Sequence, residues 1–304
     1  MKELEAELLA LKLGGKGKYY QLPESLTKIA FSGGRTSGYM LRHILDSNNG
    51  LPAATKVLFA NTGKEKEQTL EFVNECSLRW AVPITWVEYR RAPEGGESPH
   101  TFEVVTFETA SRDGRPFNEL LMHRKMLPNV RVRSCSGELK VRTMKRYLQS
   151  IGWESWTDVI GIRADEEDRT FDVGSDCPSY ITPTFPMVKA RVYEDEVMRF
   201  WKEQPFDLQL RQDQGNCDFC FLKSRGKIER LIREDPEGVN WWIDKEKSFE
   251  VIADTPQGAR FRIDRPSYAA LLKESKNPQL FDNDEDIPCG CVKSLSANDD
   301  DGDE

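Results

Sequence analysis

The sequence lacks the features that mark membrane, secreted and histidine-dependent proteins. It has no run of about 18 apolar residues, so no membrane span is expected. Acids interrupt the apolar pattern of the first 13 residues, which argues against a secretory signal and favours an amphipathic helix or arm over residues 1–25. The three histidines (His43, His100 and His123) match no triad or H-x-x-x-H pattern, so each is expected to be structural or exposed. The expected compartment is the cytoplasm.

Charge is distributed unevenly along the 304 residues. Residues 282–304 contain nine acids and one lysine, which account for the whole net charge of −8. The final NDDDGDE of this acidic tail is expected to be solvated and disordered. Residues 123–146 and 223–233 are basic, and each is either a solvated helix face or a groove for a nucleotide or a nucleic-acid backbone. Trp241 and Trp242 either stack on a base or pack in the core.

Apolar segments typical of buried strands alternate with amphipathic helices in the first half of the chain. Strands are predicted at TKIAF, TKVLFAN, PITWVEYR and TDVIGIRADE, and helices follow the first two and occupy GELKVRTMKRYLQSIGW. This order predicts an α/β fold, with a doubly wound, mainly parallel sheet covered on both faces. After about residue 190 the pattern becomes helical. The helix after the second strand is expected to bury Leu70, Phe72, Val73 and Leu78.

The first predicted strand ends in the sequence SGGRTS, residues 32–37, and a helix follows. Glycine removes side chains from the turn, so that backbone N–H groups and the positive end of the helix can approach an anion. Residues 32–37 can therefore form a phosphate cradle, and an ordinary tight turn is the alternative. The P-loop pattern G-x-x-x-x-G-K-[ST] and the dinucleotide pattern G-x-G-x-x-G are both absent.

Four motifs in chain order resemble those of the phosphoadenosine phosphosulfate (PAPS) reductase family, within the adenine nucleotide alpha hydrolase superfamily. Residues 32–37 are similar to its S-G-G-x-x-S pyrophosphate loop, or PP-loop, and FANTGKEKEQTLEFV to its T-G-x-x-x-x-E-T helix start. CSGELK is similar to the family's C-x-x-x-x-K element, and GIRADEEDR to its G-x-R-x-x-E-x-x-R element. The similarity spans roughly residues 29–222.

The resemblance implies a nucleotide-binding domain over residues 26–190, followed by a helical region over residues 191–281 that contains cysteines. ATP or a PAPS-like nucleotide would lie at the carboxyl ends of the strands, with its phosphates and Mg²⁺ at the loop. The implied nucleotide-binding residues are Ser32, Gly33, Gly34, Arg35, Thr36, Ser37, Ala60, Asn61, Thr62, Gly63, Gly161 and Arg163. The implied catalytic residues are Arg35, Lys140, Arg163 and Arg169.

Two of these assignments have open alternatives. Arg35 stands where many relatives have lysine, and its guanidinium binds oxyanions with a different geometry. Arg163 and Arg169 lie among acids, so surface salt bridges are the alternative to phosphate or sulfate binding.

Seven cysteines in a reducing compartment do not predict a disulfide framework. Cys217 and Cys220 have the C-x-x-C spacing of two ligands to one metal. The spacing alone fits zinc, an iron–sulfur cluster, a redox dithiol or two buried thiols. Cys76 and Cys177 are interpreted as buried or incidental thiols.

The resemblance implies a [4Fe–4S] cluster on Cys135, Cys217 and Cys220, with zinc and no metal as alternatives. Relatives with a cluster have a Cys-Cys pair before the C-x-x-C, whereas residue 134 here is serine. Either Cys289 or Cys291 supplies the fourth ligand, or one iron stays open for sulfur. The acidic neighbours of these two thiols favour a ligand over a nucleophile.

Three functions are compatible with the sequence. The favoured one is adenylation of an acceptor by ATP, after which cluster-bound sulfur displaces AMP; the acceptor is a nucleic acid (tRNA or DNA) or a small molecule, and a sulfur donor is an expected partner. The second is a true PAPS or adenylyl-sulfate reductase, which needs a thioredoxin-like reductant. The third is a non-enzymatic nucleotide-binding or cluster-sensing protein. The identity of the acceptor and the formation of a homodimer are left open.

Overall fold

The computed structural model describes residues 15–93, 98–211 and 213–275, without the side chains of residues 172, 175 and 176. Only residues 15–25 of the predicted N-terminal helix or arm are described, and the tail with Cys289 and Cys291 lies outside these residues. A six-stranded sheet has the order β4-β3-β2-β1-β5-β6. Its strands are β1 (Thr27–Ala30), β2 (Thr55–Asn61), β3 (Ile84–Arg91), β4 (His100–Val105), β5 (Trp156–Ile160) and β6 (Ile181–Thr184).

The predicted α/β class is confirmed, because every neighbouring pair of strands runs parallel except β3 and β4. The sequence pattern predicts neither β4 nor β6. Both are edge strands with few buried side chains, so neither shows the apolar run of a central strand. β6 also contains Pro183. Proline has no backbone N–H to donate to the sheet, and an edge strand tolerates this because one of its sides has no neighbouring strand.

Helices cover both faces of the sheet and continue beyond it. They are α1 (Arg35–Ser47), α2 (Glu67–Arg79), α3 (Arg115–Arg124), α5 (Asp168–Asp176), α6 (Pro186–Lys189), α7 (Glu194–Lys202), α8 (Arg225–Glu234), α9 (Asn240–Ile252) and α10 (Tyr268–Glu274). Between α3 and α5, helix α4 comprises Ser134–Ser136, the π-helical segment Gly137–Arg142, and Thr143–Ser150. No helix in the described part of the chain is both long and apolar enough to cross a membrane.

Side chains along β2 alternate between two apolar clusters, one on each face of the sheet. Val57 and Phe59 pack into one apolar cluster with α1, α2 and Trp201 of α7. Leu58 and Ala60 point to the opposite face, where α4 packs. Side chains of consecutive residues in a strand alternate between faces, so a strand with two covered faces is apolar at almost every position.

The prediction for Leu78 is wrong. Helix α2 buries Leu70, Phe72, Val73 and Cys76, whereas Leu78 is 69% exposed. At about 100° per residue, two positions beyond Cys76 lie about 200° around the helix, on the solvent side.

The C-terminal helices build a second apolar cluster. Phe219 and Trp242 pack there with Leu120 of α3 and Leu139 of α4. Trp242 is therefore a core residue, as one of the two interpretations of the tryptophan pair predicts. This packing brings the C-x-x-C segment and the π-helical part of α4 into the same region.

Strand β1 is the point at which the winding of the sheet reverses. It pairs with β2 on one side and with β5 on the other. The carboxyl ends of β1 and β5 consequently flank a crevice of the kind in which open α/β sheets bind ligands. The loops that enter this crevice are residues 31–34 and residues 161–163.

His43 of α1 is structural, as predicted, and packs against aromatic rings. Its ring stacks on Tyr20, with 5.1 Å between the ring centroids, and lies 4.1 Å from the ring of Tyr39. Within the described chain, neither ring nitrogen has a hydrogen-bond partner. Burial lowers the pKa of His43 from 6.5 to about 4.

This pKa shift predicts a loss of stability in mild acid. Below pH 6.5 the unfolded chain takes up a proton that the folded chain refuses until about pH 4, so stability falls as the pH decreases across this window. At about 1.4 kcal/mol per pH unit, His43 alone costs roughly 3 kcal/mol by pH 4. Urea unfolding of the wild-type chain and of His43→Phe between pH 4.5 and 7 measures this. The variant should lose less stability on acidification, and equal pH slopes would contradict the assignment.

Candidate nucleotide site

The turn after β1 depends on Gly33. Its φ is +77°, in the region that residues with a side chain rarely adopt. A Cβ atom at this position would lie 2.7 Å from Cγ2 of Thr69 and 3.0 Å from Cε2 of Phe59. Both neighbours belong to the packed interior, so only glycine brings the chain this close to α2 at the entrance of the crevice.

The N-terminus of α1 is left uncapped by side chains. Its N-cap is Gly34, and within the described residues no side chain at the cap accepts a hydrogen bond from the first-turn amides. Ser37 instead donates from Oγ to the carbonyl oxygen of Gly34 at 2.9 Å, and it accepts a hydrogen bond from Oγ of Ser32 at 3.0 Å. Ser32 is exposed, and Gly34 and Thr36 are partly exposed. The first-turn amides therefore remain available to a ligand.

Arg163 and Gly161 approach α1 from the end of β5. Nη1 of Arg163 donates to Oγ1 of Thr36 at 3.3 Å. A Cβ atom on Gly161 would lie 3.5 Å from Cα of Ser37. The structure thus brings two of the four motifs together in the crevice.

Arg163 also forms the salt bridges that the alternative interpretation predicts. Its guanidinium donates to Asp165 from Nε at 3.0 Å and from Nη2 at 2.8 Å. Glu166 lies 3.6 Å from Nη1 of Arg163 and accepts a hydrogen bond from Arg169 at 2.5 Å. The acids hold both arginines beside the crevice, and salt bridging and anion binding are compatible there.

The side chain of Arg35 pairs with an acid outside the loop. Its guanidinium makes a bidentate pair with Asp207, at 2.7 Å and 2.5 Å. Both residues line a cleft of about 310 Å³ that also includes Trp201 and Phe206. The phosphate contact expected of Arg35 stays a prediction.

The segment at the end of β2 is buried. Asn61 donates from Nδ2 to Oε1 of Glu88 at 2.6 Å, and its Oδ1 accepts the amide of Gly63 at 3.0 Å. Gly63 packs against Gly114, because a Cβ atom on Gly63 would lie 3.0 Å from its Cα. Ala60 and Thr62 are buried too. The adenine position near these residues stays a prediction, and it needs a movement of the loop at Gly114.

Glu65 is a buried acid at this corner that no sequence motif indicates. It accepts hydrogen bonds from the amide and Oγ1 of Thr62 at 2.8 Å and 2.7 Å. Lys140 lies 3.3 Å from the other carboxylate oxygen, which Cys217 approaches to 3.9 Å. Lysine and glutamate alternate over residues 64–67, and this pattern carries no signal of the convergence.

Asn216 is a second residue of the site that the sequence does not mark. It lies over the glycine turn, with Nδ2 donating to the carbonyl oxygen of Ser32 at 2.7 Å. Its backbone oxygen accepts the amide of Lys66 at 2.8 Å, and Asp218 donates its amide to the carbonyl oxygen of Lys64 at 3.0 Å. This short bridge fixes the C-x-x-C segment against the carboxyl edge of the sheet.

The described cysteines do not form a metal centre as they stand. In residues 15–93, 98–211 and 213–275, no three Cys, His, Asp or Glu side chains are grouped so as to hold a metal ion. Burial, followed by the charges of Glu65 and Cys220, raises the pKa of Cys217 well above its ordinary value, although Lys140 and Lys223 oppose the shift. A metal displaces the proton of a thiol when it binds, so this raised pKa does not exclude Cys217 as a ligand. Cys289 and Cys291 lie outside the described residues, and the cluster stays a prediction.

The chain has relatives in bacteriophages. An uncharacterized nin region protein, ORF290, of Escherichia phage lambda is 31% identical over 215 residues, which are 69% of this chain and 70% of the relative. The chain belongs to the family of this phage protein. An uncharacterized 37.8 kDa protein in the gpa 5′ region of Escherichia phage 186 is 26% identical over 162 residues, 45% of this chain and 47% of that protein. No protein-family model matches the chain.

Proposed function

We propose that this member of the ORF290 family is a PP-loop enzyme that binds ATP in the crevice between β1 and β5 and adenylates an acceptor for sulfur transfer. The observation that carries the proposal is the uncapped first turn of α1, entered through the left-handed Gly33 and flanked by Arg163. Backbone amides, a helix dipole and a guanidinium converge there, and together they recognise a polyphosphate.

The proposed reaction begins at the α-phosphorus of ATP. An oxygen of the acceptor attacks this phosphorus, and the bond to the leaving pyrophosphate breaks. The first-turn amides and Arg163 stabilise the charge that develops on the phosphoryl oxygens and on pyrophosphate. Mg²⁺, bound to the phosphates, would neutralise the leaving group. A sulfur nucleophile from a separate donor then displaces AMP from the activated acceptor.

Lys140 is the second charge assigned to the reaction. Its ammonium faces Glu65 at 3.3 Å in the corner beside the crevice. Glu65 also fixes Thr62, so the pair links the π-helical segment of α4 to the end of β2. We assign Lys140 to positioning the activated acceptor.

In this proposal the cytoplasm is the compartment, and ATP and the sulfur donor are the partners.

Pyrophosphate release from ATP tests the proposal, with Arg163→Gln as the decisive variant. We expect the loss of one charge-stabilising group to slow release roughly 10²-fold. Arg199→Gln is the matched control, since Arg199 pairs only with Asp195 in the described residues and both are about 70% exposed. It should leave the rate within about 2-fold of wild type.

The other functions predict different results in the same experiments. ATP binding without pyrophosphate release favours a regulatory protein, and sulfite release from PAPS with thioredoxin favours a reductase. Absence of ATP binding overturns the proposal. Anaerobic purification, with iron content and a visible spectrum, separately tests for the predicted cluster.

A further inference from the structure

Asn216 joins three separate parts of the candidate nucleotide site. Its Nδ2 donates to the carbonyl oxygen of Ser32 at 2.7 Å, and its own backbone oxygen accepts the amide of Lys66 at 2.8 Å. Oγ1 of Thr69 reaches the same backbone oxygen at 3.5 Å. Asn216 therefore contacts the turn after β1, the residue that precedes α2, and the first turn of α2.

The backbone around Asn216 is held in place by contacts of its own. Glu65 and Cys217 form an isolated antiparallel bridge directly beside it. Nζ of Lys223 donates to the carbonyl oxygen of Cys217 at 2.6 Å. Because these contacts already fix the backbone, the side chain of Asn216 loses little conformational freedom when it bonds to Ser32.

The glycine turn packs against both Asn216 and α2. A Cβ atom on Gly34 would lie 3.4 Å from Oδ1 of Asn216, and a Cβ atom on Gly33 would lie 2.7 Å from Cγ2 of Thr69. Contacts with both neighbours therefore restrain the Cα positions of the turn. A peptide unit between two fixed Cα atoms can still rotate about the line that joins them, so packing alone does not orient its carbonyl and amide groups.

The Ser32–Gly33 peptide is one that can rotate. Gly33 has a φ of +77°, and glycine adopts positive and negative φ about equally readily because it has no Cβ atom. The peptide is planar and trans, so the carbonyl of Ser32 and the amide of Gly33 point in opposite directions and turn together. The hydrogen bond from Asn216 to this carbonyl oxygen consequently selects one direction for the Gly33 amide.

We propose that Asn216 is a positioning residue for the nucleotide, because its hydrogen bond holds the Ser32–Gly33 peptide in the orientation in which the turn binds phosphate. This inference rests on the proposed binding of ATP in the crevice, and it adds to that site a residue from the C-x-x-C segment. Asn216 acts through the backbone of the turn and not on the reacting atoms. Donors that are oriented in advance bind an anion more tightly, because binding then requires no rearrangement.

Asn216→Ala should raise the KM for ATP and preserve the kcat of pyrophosphate release. In this variant the peptide populates both orientations and ATP binds only one of them, so the apparent affinity falls with the competent fraction. The net contribution of one hydrogen bond corresponds to a roughly 3- to 10-fold weakening. Saturating ATP restores the competent orientation, so kcat should stay within about 2-fold of the wild type.

Gln214→Ala is the matched control. Gln214 is an amide side chain of the same segment, and its Oε1 accepts the amide of Arg211 at 2.9 Å. This contact lies within the segment and does not involve the glycine turn, so KM and kcat should both stay within about 2-fold of the wild type. Urea unfolding compares the folding of the variants. If Asn216→Ala does not fold, Asn216→Asp keeps the size of the side chain, removes the donor, and should weaken ATP binding at least as much.

Nuclear magnetic resonance of the full chain reports the peptide orientation without nucleotide. Labelling serine with carbonyl ¹³C and glycine with ¹⁵N selects the Ser–Gly steps, of which the sequence has three: Ser32–Gly33, Ser37–Gly38 and Ser136–Gly137. The Ser32–Gly33 signal should shift or broaden in Asn216→Ala, because the carbonyl loses its donor and the peptide exchanges between orientations. The Ser136–Gly137 signal is the internal reference, and all three signals should be unchanged in Gln214→Ala.

The kinetic and spectroscopic results separate this inference from the proposed function. A raised KM with preserved kcat and a changed Ser32–Gly33 signal in Asn216→Ala supports it. An unchanged KM, a lower kcat at unchanged KM, or an equal rise of KM in Gln214→Ala overturns it. If the wild type binds ATP without releasing pyrophosphate, calorimetric titration gives the affinities in place of KM. A wild type that binds no ATP overturns the proposed function as well, whereas wild-type binding that Asn216→Ala leaves unchanged overturns this inference alone.

Discussion

Gly33→Ala should destabilise the chain by about 2–5 kcal/mol and abolish most of its affinity for ATP. A left-handed backbone costs a residue with a side chain about 1–2 kcal/mol. The new methyl group also overlaps Cγ2 of Thr69 at 2.7 Å, and overpacking of this kind typically costs a further 1–3 kcal/mol, approximately. Thr69 is fully buried, so it cannot move away without a shift of α2.

The loss of affinity has a separate cause. Any shift that relieves the overlap moves the chain between β1 and the first turn of α1. The amides of this turn bind a phosphate well only if they point to one place, so a displacement of the turn weakens the binding of ATP. We therefore expect weak ATP binding even where the variant is fully folded. Urea unfolding and calorimetric titration with ATP at low temperature measure the two effects separately.

Two further variants separate backbone strain from steric overlap. Gly152 has a φ of +85°, and a Cβ atom there would meet no atom of the described residues within 4 Å. Gly152→Ala should therefore show only the backbone cost of about 1–2 kcal/mol. Gly33→Ala/Thr69→Ser removes the methyl group that the new Cβ meets first, and it should recover part of the stability. If Gly33→Ala costs no more than Gly152→Ala, the packing explanation is wrong.

The fold follows from the sequence wherever burial imposes a pattern. β2 is apolar because both of its faces are covered, and TKVLFAN is predicted to the residue. The edge strands β4 and β6 have no such constraint, which is why no periodicity marks them. Leu78 shows that an apolar residue does not always indicate burial, because a residue near a helix end need not lie on the buried face.

The sequence predicts the candidate site only where its residues lie together in one local segment. The turn SGGRTS has a fixed relation to the strand before it and the helix after it. The contacts of Glu65 with Lys140 and of Asn216 with Ser32 join residues 75 and 184 positions apart in the chain. The pairing of Arg35 with Asp207 is equally remote. Such contacts depend on how distant parts of the chain pack together, which local sequence patterns do not encode.

Lys28→Met should destabilise the chain by about 3–5 kcal/mol at neutral pH. Lys28 and Asp158 are opposite each other in the register of β1 and β5, with 2.6 Å between Nζ and Oδ2. Each side chain is 6% exposed. In the variant a carboxylate is left in the core without its counter-charge, which costs far more than the loss of a surface pair. Urea unfolding measures the effect, and Arg199→Gln serves as the exposed control, expected to lose under about 1 kcal/mol.

Replacing both partners should restore most of the loss. In Lys28→Met/Asp158→Val no charge is left to desolvate, and apolar replacements of buried ion pairs are often neutral or stabilising. Oδ1 of Asp158 has no hydrogen-bond partner within the described chain, so the wild-type pair is itself incompletely satisfied. A double variant as unstable as Lys28→Met would show that packing, and not charge, sets the cost.

The pH dependence of Lys28→Met identifies the charge directly. Burial raises the pKa of Asp158, and Lys28 is the neighbour that opposes this rise. Without Lys28 the folded-state pKa rises further above the unfolded value of about 3.9. The folded variant then holds a proton that the unfolded chain releases, so its stability is lost as the pH rises through this window. The deficit relative to the wild type should therefore shrink as the pH is lowered from 7 toward 5, and a deficit independent of pH would exclude a buried, ionised Asp158 as its cause.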